Sequence, residues 1–157
     1  MASSLPPALA EIVDLFDALP DDEKRENLIL YSDQAAACAP RPNEPFDLED
    51  VRKDEECTDT VGVYLRVDPD TRQSHFRISL GPQVQTLTRA MTAILCKGLS
   101  GSTPEVVVDI PQDFVPRLVG GQLVRIRSQT VYYILTRMKG AAKVWLGRER
   151  QQAVVSA

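Results

Sequence analysis

The run Thr60-Val61-Gly62-Val63-Tyr64-Leu65-Arg66-Val67 alternates with a period of two, and Gln73 to Leu80 alternates again after it. That period puts one set of side chains on one face of a strand. Between the runs, Asp68-Pro69-Asp70-Thr71 has the composition of a turn, where proline presets φ and aspartate bonds its own backbone. The pair therefore predicts an antiparallel hairpin. An isolated hairpin is marginal in water, so one face of this one needs helices against it.

Helices are predicted on both sides. Leu9, Ile12, Val13, Phe16 and Leu19 recur at helical spacing behind Pro6-Pro7, and Pro20 ends that segment. Asp21-Asp22-Glu23 puts carboxylates at the positive end of a second helix carrying Leu28, Ile29 and Tyr31. From about Ala39 to Glu56, Pro40, Pro42 and Pro45 interrupt any period, so this stretch reads as a long loop, of the length usually kept for function. After the hairpin, Leu87, Met91, Ile94 and Leu95 form a stripe closed by Lys97-Gly98. Thr103-Pro104-Glu105 and Pro111-Gln112-Asp113-Phe114 open two short helices, the second ending by Gly120-Gly121. Val131, Ile134, Leu135, Met138, Ala142 and Trp145 then line a long last helix, with Ser128 near its start. The fold class is α+β: a small antiparallel sheet, the hairpin with room for a short third strand, packed by helices. Residues 1–147 form one domain, and 148–157 a short polar tail expected to fray.

The chain has 157 residues, 43% of them hydrophobic and 25% charged, which suits one domain with a substantial core. A net charge of −4 argues against nucleic acid, whose phosphates need a basic stripe. No stretch approaches the length of a membrane span, and the N-terminus lacks the pattern of a signal peptide. Cys38, Cys57 and Cys96 make neither an even disulfide framework nor a CxxC pair, so a reducing, cytoplasmic setting is expected.

The three cysteines differ in context. Cys38 ends an alanine-rich stretch and Cys96 follows Ile94-Leu95 on an apolar helix, so both read as small buried core residues. Cys57 lies between the acidic run Asp54-Glu55-Glu56 and the first hairpin strand, a position that offers a thiol outward. His75 is the one histidine and reads as an exposed strand residue rather than the base of a Cys-His pair. No nucleotide-binding, zinc-protease or hydrolase motif is present, and the cysteine spacing is wrong for a zinc knuckle. A presented thiol with no base or cofactor suits a residue that receives a group from another protein.

Cys57-Thr58-Asp59-Thr60-Val61 followed by a hairpin resembles the Gly-Cys-x-Ser-x-Val segment of the SufE family of sulfur acceptors. Four further segments follow in the family's order: Leu5-Pro6-Pro7 with Ile12 and Phe16, Leu87-Thr88-Arg89-Ala90-Met91, Lys97-Gly98-Leu99-Ser100-Gly101, and Arg127-Ser128-Gln129. The resemblance spans about Leu5 to Lys143. It implies helices on a small antiparallel sheet, a fold shared with IscU-type scaffolds. It also implies that Cys57 takes sulfane sulfur from the persulfide of a cysteine desulfurase (SufS-like) and passes it to an iron–sulfur scaffold (SufBCD-like), activating the desulfurase. No cofactor or metal of the chain's own is implied, and the protein is a sulfur-transfer co-substrate rather than an independent enzyme. Arg127, at the start of the last helix, is implied as the neighbour that supports the thiol.

The chain departs from the pattern at Glu56 for the usual glycine, Asp59 for the serine, Gly62 for a bulky aromatic, and Gln83-Val84 for a Ser-Asp pair. Glu55, Glu56 and Asp59 are expected to push the Cys57 pKa up unless Arg127 or Arg125 offsets them. Two other readings compete: an IscU-like scaffold holding a cluster or zinc on Cys38, Cys57 and Cys96, and a binding module whose cysteine is incidental.

Overall fold

The computed structural model describes residues 5–53 and 59–156, and three strands form one antiparallel sheet among them, in the order β1-β2-β3. The predicted hairpin is β2 (Thr60–Val67) with β3 (Ser74–Leu80), paired from Val61↔Leu80 to Val67↔Ser74. Its turn closes on Asp68, whose Oδ1 accepts the amides of Asp70 at 2.8 Å and Thr71 at 3.2 Å. Val61, Val63, Leu65, Phe76 and Ile78 point into the core. Gly62, Tyr64, Arg66, His75, Arg77 and Ser79 alternate onto the opposite face.

β1 (Leu48–Lys53) corrects the reading of 39–56 as loop throughout. It pairs with β2 from Leu48↔Leu65 to Lys53↔Thr60. Only Leu48 is fully buried, while Glu49, Val51, Arg52 and Lys53 are exposed, so no apolar alternation marks the strand. Its charged side chains are those of a sheet edge protected from further pairing.

α1 (Pro7–Asp17) buries Leu9, Ile12, Val13 and Phe16, and α2 (Asp21–Ser32) buries Leu28. Ile29, expected on the buried stripe of α2, is 54% exposed. A 3-10 turn, Ala35–Cys38, follows. α3 (Thr86–Leu99) is the central helix: besides Met91, Ile94 and Leu95 it buries Ala90, Ala93, Cys96 and Leu99, because α1, α2, α6 and β3 all pack on it. α4 (Pro104–Asp109) begins as predicted, with the Thr103 hydroxyl accepting the Val106 amide at 3.3 Å. A 3-10 turn at Gln112–Phe114 leads into α5 (Val115–Val119).

α6 (Gly121–Ser156) is interrupted at Arg127, whose φ of −128° and ψ of 37° mark a kink. Beyond it Val131, Ile134, Leu135, Met138 and Ala142 are buried as their spacing predicted. The helix does not fray after Gly147 but continues to Ser156. Its last turns are tied back: Arg72 bonds both Glu149 and Glu105, and its guanidinium lies 5.3 Å from the Trp145 ring centroid. No helix among the described residues is long and apolar enough to cross a membrane.

One charged side chain sits inside this core. Arg137 of α6 has 2% of its side chain exposed. Its Nη2 donates to the carbonyls of Asp50 at 2.7 Å and Val61 at 3.0 Å, its Nε to the Asp50 carboxylate at 3.2 Å, and its Nη1 to the Tyr133 hydroxyl at 2.6 Å. A buried guanidinium is tolerated only when its donors are satisfied. Here they tie the last helix to both β1 and β2. Arg137→Ala should therefore lower the unfolding free energy by about 3 kcal/mol, since charge-assisted bonds are lost and the Val61 carbonyl is left short of a donor. Arg117→Ala, which removes an exposed pair with Asp17 and Asp14, should cost under about 1 kcal/mol. Urea denaturation of the two variants beside the parent checks both.

Candidate functional site

The register of β1 and β2 brings Lys53 opposite Thr60, so the connection carrying Cys57 leaves and re-enters the sheet at one end. Cys57 itself, with Asp54, Glu55, Glu56 and Thr58, lies outside the described residues. The end of the sheet from which that connection springs is closely braced. The Asp59 carboxylate accepts the Thr60 amide at 2.7 Å and the Gln83 amide at 2.8 Å. Arg89 of α3 donates to the carbonyls of Gly81 at 2.9 Å and Val84 at 3.0 Å. A Cβ on Gly81 would fall 2.2 Å from Asp59 Cγ, so the carboxylate occupies the space that a side chain would take.

One departure from the family pattern thus has a structural role, while the Gln83-Val84 pair takes part only through the Gln83 main-chain amide. The Asp59 carboxylate takes the Gln83 amide as well as that of Thr60, so Asp59 is a strand-end brace. Gly62 has a similar explanation. A Cβ there would lie 2.5 Å from Ser79 Oγ, 2.9 Å from Tyr64 Cε2 and 3.0 Å from Val51 Cγ2. The Tyr64 ring covers the glycine, an aromatic cover over a bare strand position, and itself packs on Phe46 at 5.2 Å between centroids.

Beside this end of the sheet lies a cleft of about 560 Å³ lined by Arg52 of β1 and by Ser128, Gln129, Tyr132 and Arg137 of α6, among others. The part of α6 beyond the kink at Arg127 lines the cleft, and Arg127 is exposed next to the lining residue Ser128. Sequence reasoning missed Arg137, Arg89 and the bracing role of Asp59. The signal for Arg137 was its place at i+3 from Ile134 and i+4 from Tyr133, beside the apolar stripe.

The other two cysteines do not fit the expectation of two buried core residues. Cys96 is buried, but Cys38 is half-exposed, and both line a second cleft with His75, Arg66 and Arg77. His75 is half-buried on that wall rather than exposed. No three His, Cys, Asp or Glu side chains among the described residues are grouped to hold a metal ion.

Residues 10–142 match the SufE: Fe-S metabolism associated domain. The chain belongs to the SufE family. The family assignment bears out the resemblance to the SufE family and associates the chain with iron–sulfur metabolism. No curated protein compared with the chain matches it. Among solved structures it is similar to the solution structure of a hypothetical protein from Thermus thermophilus, at 22% identity and a TM-score of 0.64, over 92% of this chain and 99% of that one. That likeness supports the fold alone.

Asp59 gives the brace a pH dependence. Its pKa is held below the usual 3.8, first by the Gln83 amide and then by the Thr60 amide, against a small opposing effect of burial. A depressed folded-state pKa contributes stability above the unfolded value that is lost as pH falls through the folded value. The stability advantage of the parent over Asp59→Asn should therefore be constant at neutral pH and shrink below pH 3.8. Urea titrations from pH 7 downward measure it.

Proposed function

We propose that this SufE-family protein is a persulfide relay: Cys57 accepts sulfane sulfur from a cysteine desulfurase and delivers it for iron–sulfur cluster assembly, and in doing so activates the desulfurase. The Cys57 thiolate attacks the outer sulfur of the donor's persulfide. The sulfur–sulfur bond of the donor breaks, its cysteine leaves as thiolate, and a persulfide forms on Cys57. No net oxidation occurs. The observation that carries the reading is the hairpin end at Lys53 and Thr60 inside a matched SufE domain. It is braced by Arg137 from α6 and by Asp59 through Gln83, so a short connection bearing a thiol springs from a fixed base. Fixing the base reduces the ordering cost of presenting the thiol to a partner's active site. Arg127 is proposed to support the thiolate: it is exposed at the kink of α6, one residue from the lining of the cleft that Arg52 bounds from the β1 side.

Mass spectrometry of the full chain after incubation with a cysteine desulfurase, pyridoxal phosphate and cysteine tests the relay. A sulfur adduct should map to the Cys57 peptide and be absent from Cys57→Ser, while Cys38→Ser and Cys96→Ser still take it up. Equal loss in all three single variants would instead favour a scaffold using the three cysteines together. Arg127→Ala should slow alkylation of Cys57 at pH 7 and move its rate profile up by about half a pH unit, whereas Arg148→Ala should leave it unchanged.

A further inference from the structure

Cys38 and Cys96 come from distant parts of the chain and meet at one place. The 3-10 turn Ala35–Cys38 packs against both α3 and β3, which sets the Cys38 and Cys96 thiols as neighbours on the wall of one cleft, with Cys38 Sγ 4.0 Å from the Gln34 carbonyl it faces. The two are unequal. Cys96 is 7% exposed, while Cys38 is half-exposed in a cleft of about 450 Å³. Arg77 is fixed beside the pair, its Nε donating to Glu44 at 3.2 Å and its Nη1 to the Ala37 carbonyl at 3.4 Å. Arg66, Lys97 and His75 line the same cleft. The lining carboxylate among the described residues, Glu44, is engaged by Arg77.

We infer that Cys38 is a second reactive centre, a thiol-exchange site that takes an anionic low-molecular-weight disulfide and passes the oxidation to Cys96. In the first step the Cys38 thiolate attacks one sulfur of the disulfide RS–SR, a mixed disulfide Cys38–S–SR forms, and RS⁻ leaves. In the second, Cys96 loses its proton to solvent and attacks Cys38 Sγ, the intramolecular disulfide forms, and the second RS⁻ leaves. Two protein thiols are oxidised, and one disulfide is reduced to two thiols.

The division of labour follows from the surroundings. The bond from Cys96 holds the Cys38 thiol down at about 7, with Arg77 adding to it against the opposing effect of burial. An attacking thiol is most effective when its pKa lies near the ambient pH. Cys96 is pushed well above its usual value by the same bond and then by burial, so it stays protonated until Cys38 carries a leaving group. The lining cations favour a carboxylate-bearing disulfide over a cationic one. The centre lies away from the Lys53–Thr60 end of the sheet. Arg66 and His75 are paired six residues along β2 from Thr60, roughly 20 Å along the strand.

Glutathione disulfide, the probe of that class, is added to the reduced full-length protein in anaerobic buffer, and the products are mapped by mass spectrometry after alkylation. The expected result is a Cys38–Cys96 disulfide with two glutathiones released per chain, while Cys57 remains open to alkylation at that stage. Cys96→Ala should stop at a stable glutathione adduct on Cys38, and Arg77→Gln should slow the first step about threefold. Cystamine, a cationic disulfide, should react more slowly than glutathione disulfide at low salt. The proposal is overturned if Cys38 remains alkylatable while another cysteine takes the glutathione, or if the parent protein stops at the mixed disulfide. Cystamine reacting as fast would overturn the charge class of the ligand. Mapping of the parent protein decides the matter even if Cys96→Ala does not fold.

Discussion

Arg137 ties the last helix to two strands at once. Its guanidinium joins the last helix to the backbone of β1 at Asp50 and of β2 at Val61, next to the end of the sheet where the Cys57 connection begins. An arginine is suited to this because its planar fork can serve two carbonyls, a carboxylate and a hydroxyl together. A lysine would satisfy fewer acceptors from the same place. The pairing of β1 with β2 depends on it more than on burial, since β1 buries little besides Leu48.

That dependence explains which parts of the fold are legible in the sequence. The β2–β3 hairpin shows itself because its alternation is the imprint of a half-buried sheet, and the last helix because one stripe faces the core. β1 does not, because Glu49-Asp50-Val51-Arg52-Lys53 is a solvent-side edge whose strand character comes from β2 and Arg137. The full length of α6 is hidden for a related reason. Arg148-Glu149-Arg150 reads as a polar tail, yet Glu149 is held by Arg72, which is bonded to Glu105 as well. Long-range ion pairs leave no period in the sequence.

The candidate site is legible in its family motif and illegible in its supports. Taken singly, Asp59, Gly62 and Gln83-Val84 look like losses of function. Brought together, Asp59 bonds the Gln83 amide over a bare Gly81, and Gly62 lies under Tyr64. A departure whose own surroundings account for it is a different kind of change from one that removes chemistry. A residue-by-residue match to a motif cannot separate the two kinds, because it compares positions and not contacts.

The same reasoning bears on how two thiol centres can coexist in one small domain. The Cys57 connection is covalently bound to the β1–β2 end of the sheet, whereas Cys38 and Cys96 lie on the β3 side, under a turn anchored by Arg77 to Ala37 and Glu44. Strand β2 carries Thr60 at the end where the connection attaches and Arg66, on the wall of the Cys38–Cys96 cleft, six residues further on. Thiols exchange only when one sulfur can reach another in line, so where each thiol stands along the sheet decides which of them react together.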